Sequence, residues 1–152
     1  MRVLMVCLGN ICRSPLAHGI LQREIEEREL TGWLVDSAGT SGHHAGAPPD
    51  PRSEAEALRH GIDISTQRSR PLVVADFDRF DRIVVMDASN YQDAVGLAPK
   101  PEDAEKVELL MNYAEPGRNQ QVPDPYWDDD GFAGVFEMVE RGVLGLLGKA
   151  GA

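Results

Sequence analysis

The chain is short of cysteine, of positive charge and of long apolar runs, and each shortage removes a class of function. Its only two cysteines, Cys7 and Cys12, stand five positions apart. They are too few for the disulfide framework of a small secreted domain and point instead to a reactive thiol in a reducing compartment. Fifteen lysines and arginines face 25 aspartates and glutamates, a formal charge of −10. That sign repels nucleic acid and anionic membrane at long range, so neither is expected as a partner. No apolar run reaches membrane-spanning length. Arg2 is followed by only a short apolar stretch and then by glycine, asparagine and arginine, which is not the build of a signal peptide. A cytoplasmic location is the expectation. The four histidines fit no zinc pattern: His43 and His44 are adjacent, and neither the zinc-protease helix spacing nor a Cys-x2-Cys pair occurs. No metal and no cofactor are expected.

What is present is concentrated at Val3 to Pro15, VLMVCLGNICRSP. An apolar run ends in Cys7, a five-residue segment with Gly9 and Asn10 follows, and Arg13, Ser14 and Pro15 lead into a helical pattern. A strand that feeds a helix N-terminus through a short loop aims several backbone N–H groups and the positive end of the helix dipole at one spot. An anion belongs there. Cys7 sits at the strand's carboxyl end, where a thiol facing such donors serves as a nucleophile. Arg13 adds a planar fork suited to two phosphate oxygens. The segment has no lysine and no Gly-Lys-Ser/Thr ending, so it is not a nucleotide-binding Walker loop. Since the net charge opposes a phosphorylated substrate, the loop and Arg13 must reverse the sign of the field locally.

The remaining chain reads as strands alternating with helices. Ser14 is a candidate cap and Pro15 suits a first turn. Leu16, Ala17, Ile20, Leu21 and Ile25 recur at helical spacing. Trp33 to Asp36 reads as a second strand, Ser37 to Pro51 as a glycine- and proline-rich loop, and Asp50-Pro51 as the start of a helix that ends before Gly61. Ile62 to Pro71 reads as loop. Arg82 to Met86 is a buried strand followed by a helix over Asp87 to Val95, and Val107 to Met111 is a candidate last strand. Glu115 to Asp130, with three prolines and four aspartates, should be an exposed loop. Phe132, Val135, Phe136, Val139, Val143 and Leu146 or Leu147 mark a closing helix despite Gly142 and Gly145. A chain of 152 residues in this pattern predicts a single α/β domain with a parallel sheet covered on both faces, its ligand beyond the carboxyl ends of the strands.

Cys-x5-Arg-Ser, and more fully CLGNICRSP, resembles the active-site loop of the low-molecular-weight protein tyrosine phosphatases. SAGTSG…PPDPR from Ser37 to Arg52, Met86-Asp87 with Ser89-Asn90, and DPYW at Asp124 to Trp127 extend the resemblance over essentially the entire chain. It implies a four-stranded parallel sheet ordered 2-1-3-4, a monomer or weak homodimer, and hydrolysis of protein phosphotyrosine or small aryl phosphates through a phosphocysteine. Leu8, Gly9, Asn10, Ile11, Cys12, Arg13 and Ser14 would cradle the phosphate, with Asn10 tolerating a left-handed backbone. The hydroxyl of Ser14 is also placed to hydrogen-bond Cys7. The resemblance selects Asp124 as the proton donor; the residues alone leave Asp128, Asp129 and Asp130 equally open. Tyr126 and Trp127, next to the acid in an exposed loop, suit a wall for a flat ring, and relatives contribute to the pocket rim at the position of His43. Cys12 is either a redox partner that forms a disulfide with Cys7 or a packing residue beneath the loop. Three other readings compete. An arsenate reductase of this fold relays electrons through later cysteines, and no cysteine follows Cys12. A protein-arginine phosphatase of the same superfamily commonly carries threonine where Ile11 stands. A noncatalytic phosphate-binding or redox-sensing module would not need nucleophile, arginine and acid together.

Overall fold

The computed structural model describes residues 1–152. Four parallel strands, β1 (Arg2–Cys7), β2 (Leu34–Gly39), β3 (Arg82–Val85) and β4 (Val107–Leu109), form one sheet in the order β2-β1-β3-β4. This is the expected topology. β1 is central and buried from Val3 onward because successive side chains serve opposite layers. Val3, Met5 and Cys7 join α1 (Arg13–Glu27) and the C-terminal helix α7 (Phe132–Lys149) in the larger core. Leu4 and Val6 join Phe77, Phe80 and Ala94 in a smaller core on the opposite face. Those residues belong to α3 (Asp76–Arg79), to the Phe80 position that ends it and to α4 (Ala88–Leu97).

The helix α2 (Pro51–Arg59) starts where its sequence signal lies, with Asp50 capping through a bond from the Arg52 N–H. Three single-turn α-helices depart from expectation, α3, α5 (Pro101–Ala104) and α6 (Met111–Ala114), as does a 3-10 turn at Asp129–Gly131, where an exposed loop is expected to run to Asp130. Each of the three helices is only four residues long, too short for periodicity to register. β2 runs three residues beyond the expected Asp36. Its Ser37-Ala38-Gly39 end has the small-residue composition of a loop, yet it pairs with Met5, Val6 and Cys7. A Cβ on Gly39 would stand 2.7 Å from the Leu8 carbonyl oxygen, so only glycine lets the strand pass this close to the loop after β1. β4 stops at Leu109, two residues short of the expected Met111, because Met111 begins α6. Within the late loop, which is mostly exposed, Val122 is fully buried and its N–H bonds the Met86 carbonyl. That contact holds the DPYW segment over the ends of β1 and β3.

Candidate active site

The loop Leu8 to Cys12 leaves β1 at the sheet's centre and turns directly into α1. Its carbonyls are tied outward. Thr40 and Ser41 N–H groups bond the Cys7 and Leu8 oxygens, the Ser69 hydroxyl bonds Gly9, the Asp50 N–H bonds Ile11, and the Ser53 hydroxyl bonds Cys12. None of the five N–H groups from Leu8 to Cys12 donates to a protein acceptor. Five consecutive unspent donors at the start of a helix make an anion cradle. Asn10 supplies the left-handed turn, with φ of 55°. Its side chain is fixed at both ends, donating to Ser14 Oγ at 2.8 Å and accepting from the Arg70 N–H at 3.1 Å.

Cys7 Sγ lies 3.0 Å from Ser14 Oγ. Ser14 is not the cap of α1: Cys12 occupies that position without a side-chain bond, and the Ser14 hydroxyl is committed to Cys7 and Asn10. Arg13 is 98 % buried, and its Nη1 donates to Asp87 Oδ2 at 2.7 Å and to the Val122 carbonyl at 2.9 Å. Anchoring one nitrogen from behind leaves Nε and Nη2 free to face an anion as a fork. Asp124 Oδ2 stands 3.9 Å from Nη2, and its Oδ1 accepts the Tyr126 N–H at 3.1 Å. Asp87, whose Oδ1 also caps α4 through the Asn90 N–H, is a functional residue that sequence reasoning passed over. Its signal was present, an aspartate directly after a buried strand.

A cleft of about 460 Å³ opens above this floor, with Cys7, the loop and Arg13 at its base. Asp124, Tyr126 and Trp127 form one side; Ser41, His43 and His44 form the other. Tyr126 and Trp127 meet edge to face with centroids 4.8 Å apart, and Trp127 is 91 % exposed. His44, not singled out from sequence for the rim, lies against Gly9: a Cβ there would be 3.0 Å from its ring. Every expected site residue except Asn10 and Ser14 lines the cleft, and those two act from beneath it. Asp128, Asp129 and Asp130 do not line it. Burial pushes the Cys12 thiol up to about 12, with the Asp50 carboxylate and Cys7 adding to the effect. Cys12 is therefore a neutral thiol at ordinary pH.

The family model for low molecular weight phosphotyrosine protein phosphatase matches residues 2–151. The chain belongs to that family. A low molecular weight protein-tyrosine-phosphatase of Streptomyces coelicolor is 44 % identical over 151 residues, 96 % of this chain and 91 % of that one. Among solved structures, the protein tyrosine phosphatase of Entamoeba histolytica with Hepes in its active site superposes with a TM-score of 0.91 at 34 % identity, covering 99 % of this chain and 97 % of the other. A Drosophila arginine phosphatase superposes with a TM-score of 0.90 at 32 % identity, covering 100 % and 99 %. A phosphocysteine intermediate is characteristic of low molecular weight phosphotyrosine phosphatases, and the cleft of this member presents a thiol, an anion cradle and a carboxyl group within one opening.

Proposed function

We propose that the protein is a cytoplasmic phosphatase acting on phosphotyrosine in proteins and on small aryl phosphates. The observation that carries this reading is Arg13, buried and held from behind by Asp87, with Asp124 at its front and Cys7 in the same cleft. In the first step Cys7 Sγ attacks phosphorus: the S–P bond forms, the P–O bond to the leaving group breaks, and Asp124 protonates the departing oxygen. Loop N–H groups and the Arg13 fork carry the charge on the transferred phosphoryl oxygens. In the second step water attacks phosphorus, Asp124 takes its proton, and the Cys7 thiolate leaves with the Ser14 hydroxyl donating to it. Nucleophile, cation and acid are all side chains of the chain, so the chemistry calls for no metal or cofactor. Nucleic acid and membrane remain unfavoured partners on charge grounds, no helix is long and apolar enough to cross a membrane, and the working unit is a monomer or weak homodimer.

Steady-state hydrolysis of a series of aryl phosphates tests the reading. Cys7→Ser should abolish turnover while vanadate still binds, because the cradle and Arg13 remain. The kcat/KM of Asp124→Asn should fall about 100-fold for a poor leaving group and little for a good one. Wild-type turnover by Cys7→Ser, or a uniform loss across the series for Asp124→Asn, would refute the respective role. One observation keeps arginine phosphatase as the second reading: the match to the Drosophila enzyme spans the whole chain. Ile11 in the cleft, apolar where that activity commonly goes with threonine, favours phosphotyrosine. Phosphoarginine and phosphotyrosine peptides assayed side by side decide between them. Arsenate reduction would need an external thiol, since no cysteine follows Cys12.

Cys12 also enters the reading as a redox partner. Peroxide converts the Cys7 thiolate to a sulfenic acid; the Cys12 sulfur then attacks it, the S–S bond forms and water leaves. Both cysteines are buried and free in this structure. Matched peroxide treatment of wild type and Cys12→Ser, followed by a dithiol reductant, should restore more turnover in wild type. Equal recovery without an intramolecular disulfide by mass spectrometry would leave Cys12 as packing.

A further inference from the structure

The acid loop is anchored at its start by Val122, which bonds Met86 and Arg13, but beyond Pro125 few side-chain contacts reach the rest of the molecule. Within residues 125–131 the hydrogen bonds are local, from Tyr126 N–H to Asp124, from Asp128 N–H to Pro125, and from Asp130 and Gly131 N–H groups to Asp128. Asp129–Gly131 form a single 3-10 turn that runs on into α7, and the one side-chain bond that leaves the segment is Arg52 Nη1 to Asp129 Oδ1. The same guanidinium lies 4.6 Å from the centroid of Phe132 and 5.6 Å from that of Tyr126, distances at which a cation is drawn to a ring face. Its other nitrogens grip Asp50, Nε to Oδ1 at 3.0 Å and Nη2 to Oδ2 at 2.8 Å. Asp50 is buried, and the first turn of α2 is in turn fastened to the phosphate loop by Asp50 N–H to Ile11 O at 2.8 Å and Ser53 Oγ to Cys12 O at 3.2 Å.

We propose that Arg52 is a positioning residue that holds the acid loop in register with the phosphate loop, so that Asp124 meets the leaving oxygen of a phosphoryl group seated on Cys7. The path is short. Arg52 fixes the Tyr126 ring, and the Tyr126 N–H fixes the Asp124 carboxylate. A bidentate grip on Asp50 makes the guanidinium a rigid strut, and its planar fork can bond two carboxylates while lying against two rings. A lysine ammonium has three donors but no planar fork, so it could not grip Asp50 at two points and also reach Asp129 while lying flat against the rings. Arg52 itself touches neither Cys7 nor Arg13 and is absent from the cleft lining. The inference rests on Asp124 being the general acid.

The slope of log kcat/KM against leaving-group pKa reads the proposal, because kcat/KM covers only the step in which the leaving oxygen departs. In wild type the slope should be shallow, and in Asp124→Asn steep. Arg52→Gln should lie between them, losing about tenfold on phenyl phosphate and under twofold on a dinitrophenyl phosphate, as a displaced acid would. Adding Arg52→Gln to Asp124→Asn should steepen nothing further, since there is no acid left to misplace. Asp129→Asn, at an 86 % exposed side chain where folding is not at risk, should shift the slope in the same direction by less. The rate of Cys7 alkylation by iodoacetate in Arg52→Gln and Asp129→Asn should match wild type, and a changed rate in both would overturn the positioning role by showing that the phosphate loop itself had moved. A wild-type slope in both Arg52→Gln and Asp129→Asn, or an Arg52→Gln loss that is uniform across the series or additive with Asp124→Asn, overturns the positioning role while leaving the acid in place. A shallow slope in Asp124→Asn itself overturns the acid assignment, and the positioning role with it.

Discussion

At the scale of single residues, the site depends on groups whose partners lie far away in the chain. Arg13 is held by Asp87, 74 positions later, and by the carbonyl of Val122, 109 positions later. A guanidinium 98 % buried and robbed of Asp87 keeps only Asp124 as a counter-charge, 3.9 Å away and partly exposed. Asp87→Ala should therefore cost about 3 kcal/mol, through the lost ion pair and the lost cap on α4. Asp87→Asn, which keeps the cap, should cost less; urea midpoints at constant m-value measure both. Equal losses would assign the whole effect to the ion pair, and a loss confined to Asp87→Ala would assign it to the cap. Arg13→Lys should abolish most turnover without unfolding the chain, because a point charge cannot hold Asp87 behind and two phosphate oxygens in front. Cys7, Arg13 and the loop were legible in the sequence because spacing, glycine and a strand-to-helix junction sit within 13 residues. Asp124 needed the family resemblance, since four aspartates share its stretch and only three-dimensional placement separates them. Asp87 directly follows a buried strand and Arg52 ends the Ser37 to Arg52 stretch, yet neither local signal tells what the side chain meets across the fold, which is where the importance of both lies.

At the scale of elements, long periodic segments were readable and single turns were not. α1, α2, α4 and α7 fall where apolar spacing and caps put them. α3, α5 and α6 are held by the sheet edge and neighbouring helices rather than by propensity, so no window of sequence announces them. α7 is the instructive case, because its glycines argue against a helix and yet have two different meanings. A Cβ on Gly145 would stand 2.3 Å from the Tyr113 carbonyl oxygen, and one on Gly142 would stand 2.5 Å from the Leu110 side chain. There α7 approaches α6 more closely than any side chain permits. Gly134, in the same helix, meets nothing within 4 Å. Gly145→Ala should thus destabilise by about 2 kcal/mol through backbone overpacking, whereas Gly134→Ala should stabilise by about 0.5 kcal/mol through helix propensity. Thermal unfolding of the two variants checks the opposed signs. A gain at both positions would show that α6 and α7 can separate without loss.

At the scale of the whole molecule, the charge of −10 and the anion cradle work against each other over different distances. Five loop N–H groups and one buried guanidinium act at contact range, and that guanidinium already faces Asp87 and Asp124. Further out the acidic surface dominates, and Asp128, Asp129 and Asp130 lie exposed beside the aromatic side of the cleft. A phosphopeptide approaching this molecule is therefore steered by its flanking charges before its phosphate reaches the loop. Peptides with lysines around the phosphotyrosine should be cleaved with higher kcat/KM than peptides with glutamates there, by about tenfold at 10 mM salt, where the screening length is about 30 Å. At 200 mM salt that length shrinks below about 10 Å and the ratio should fall toward unity. Anions of the salt also compete for the phosphate loop, but they slow both peptides alike and cancel in the ratio. A ratio that stays high as salt rises would mean close contacts at the rim, not the long-range field, select the peptide. A ratio below one at low salt would mean that the cradle's own field reaches beyond the cleft and overrides the surface.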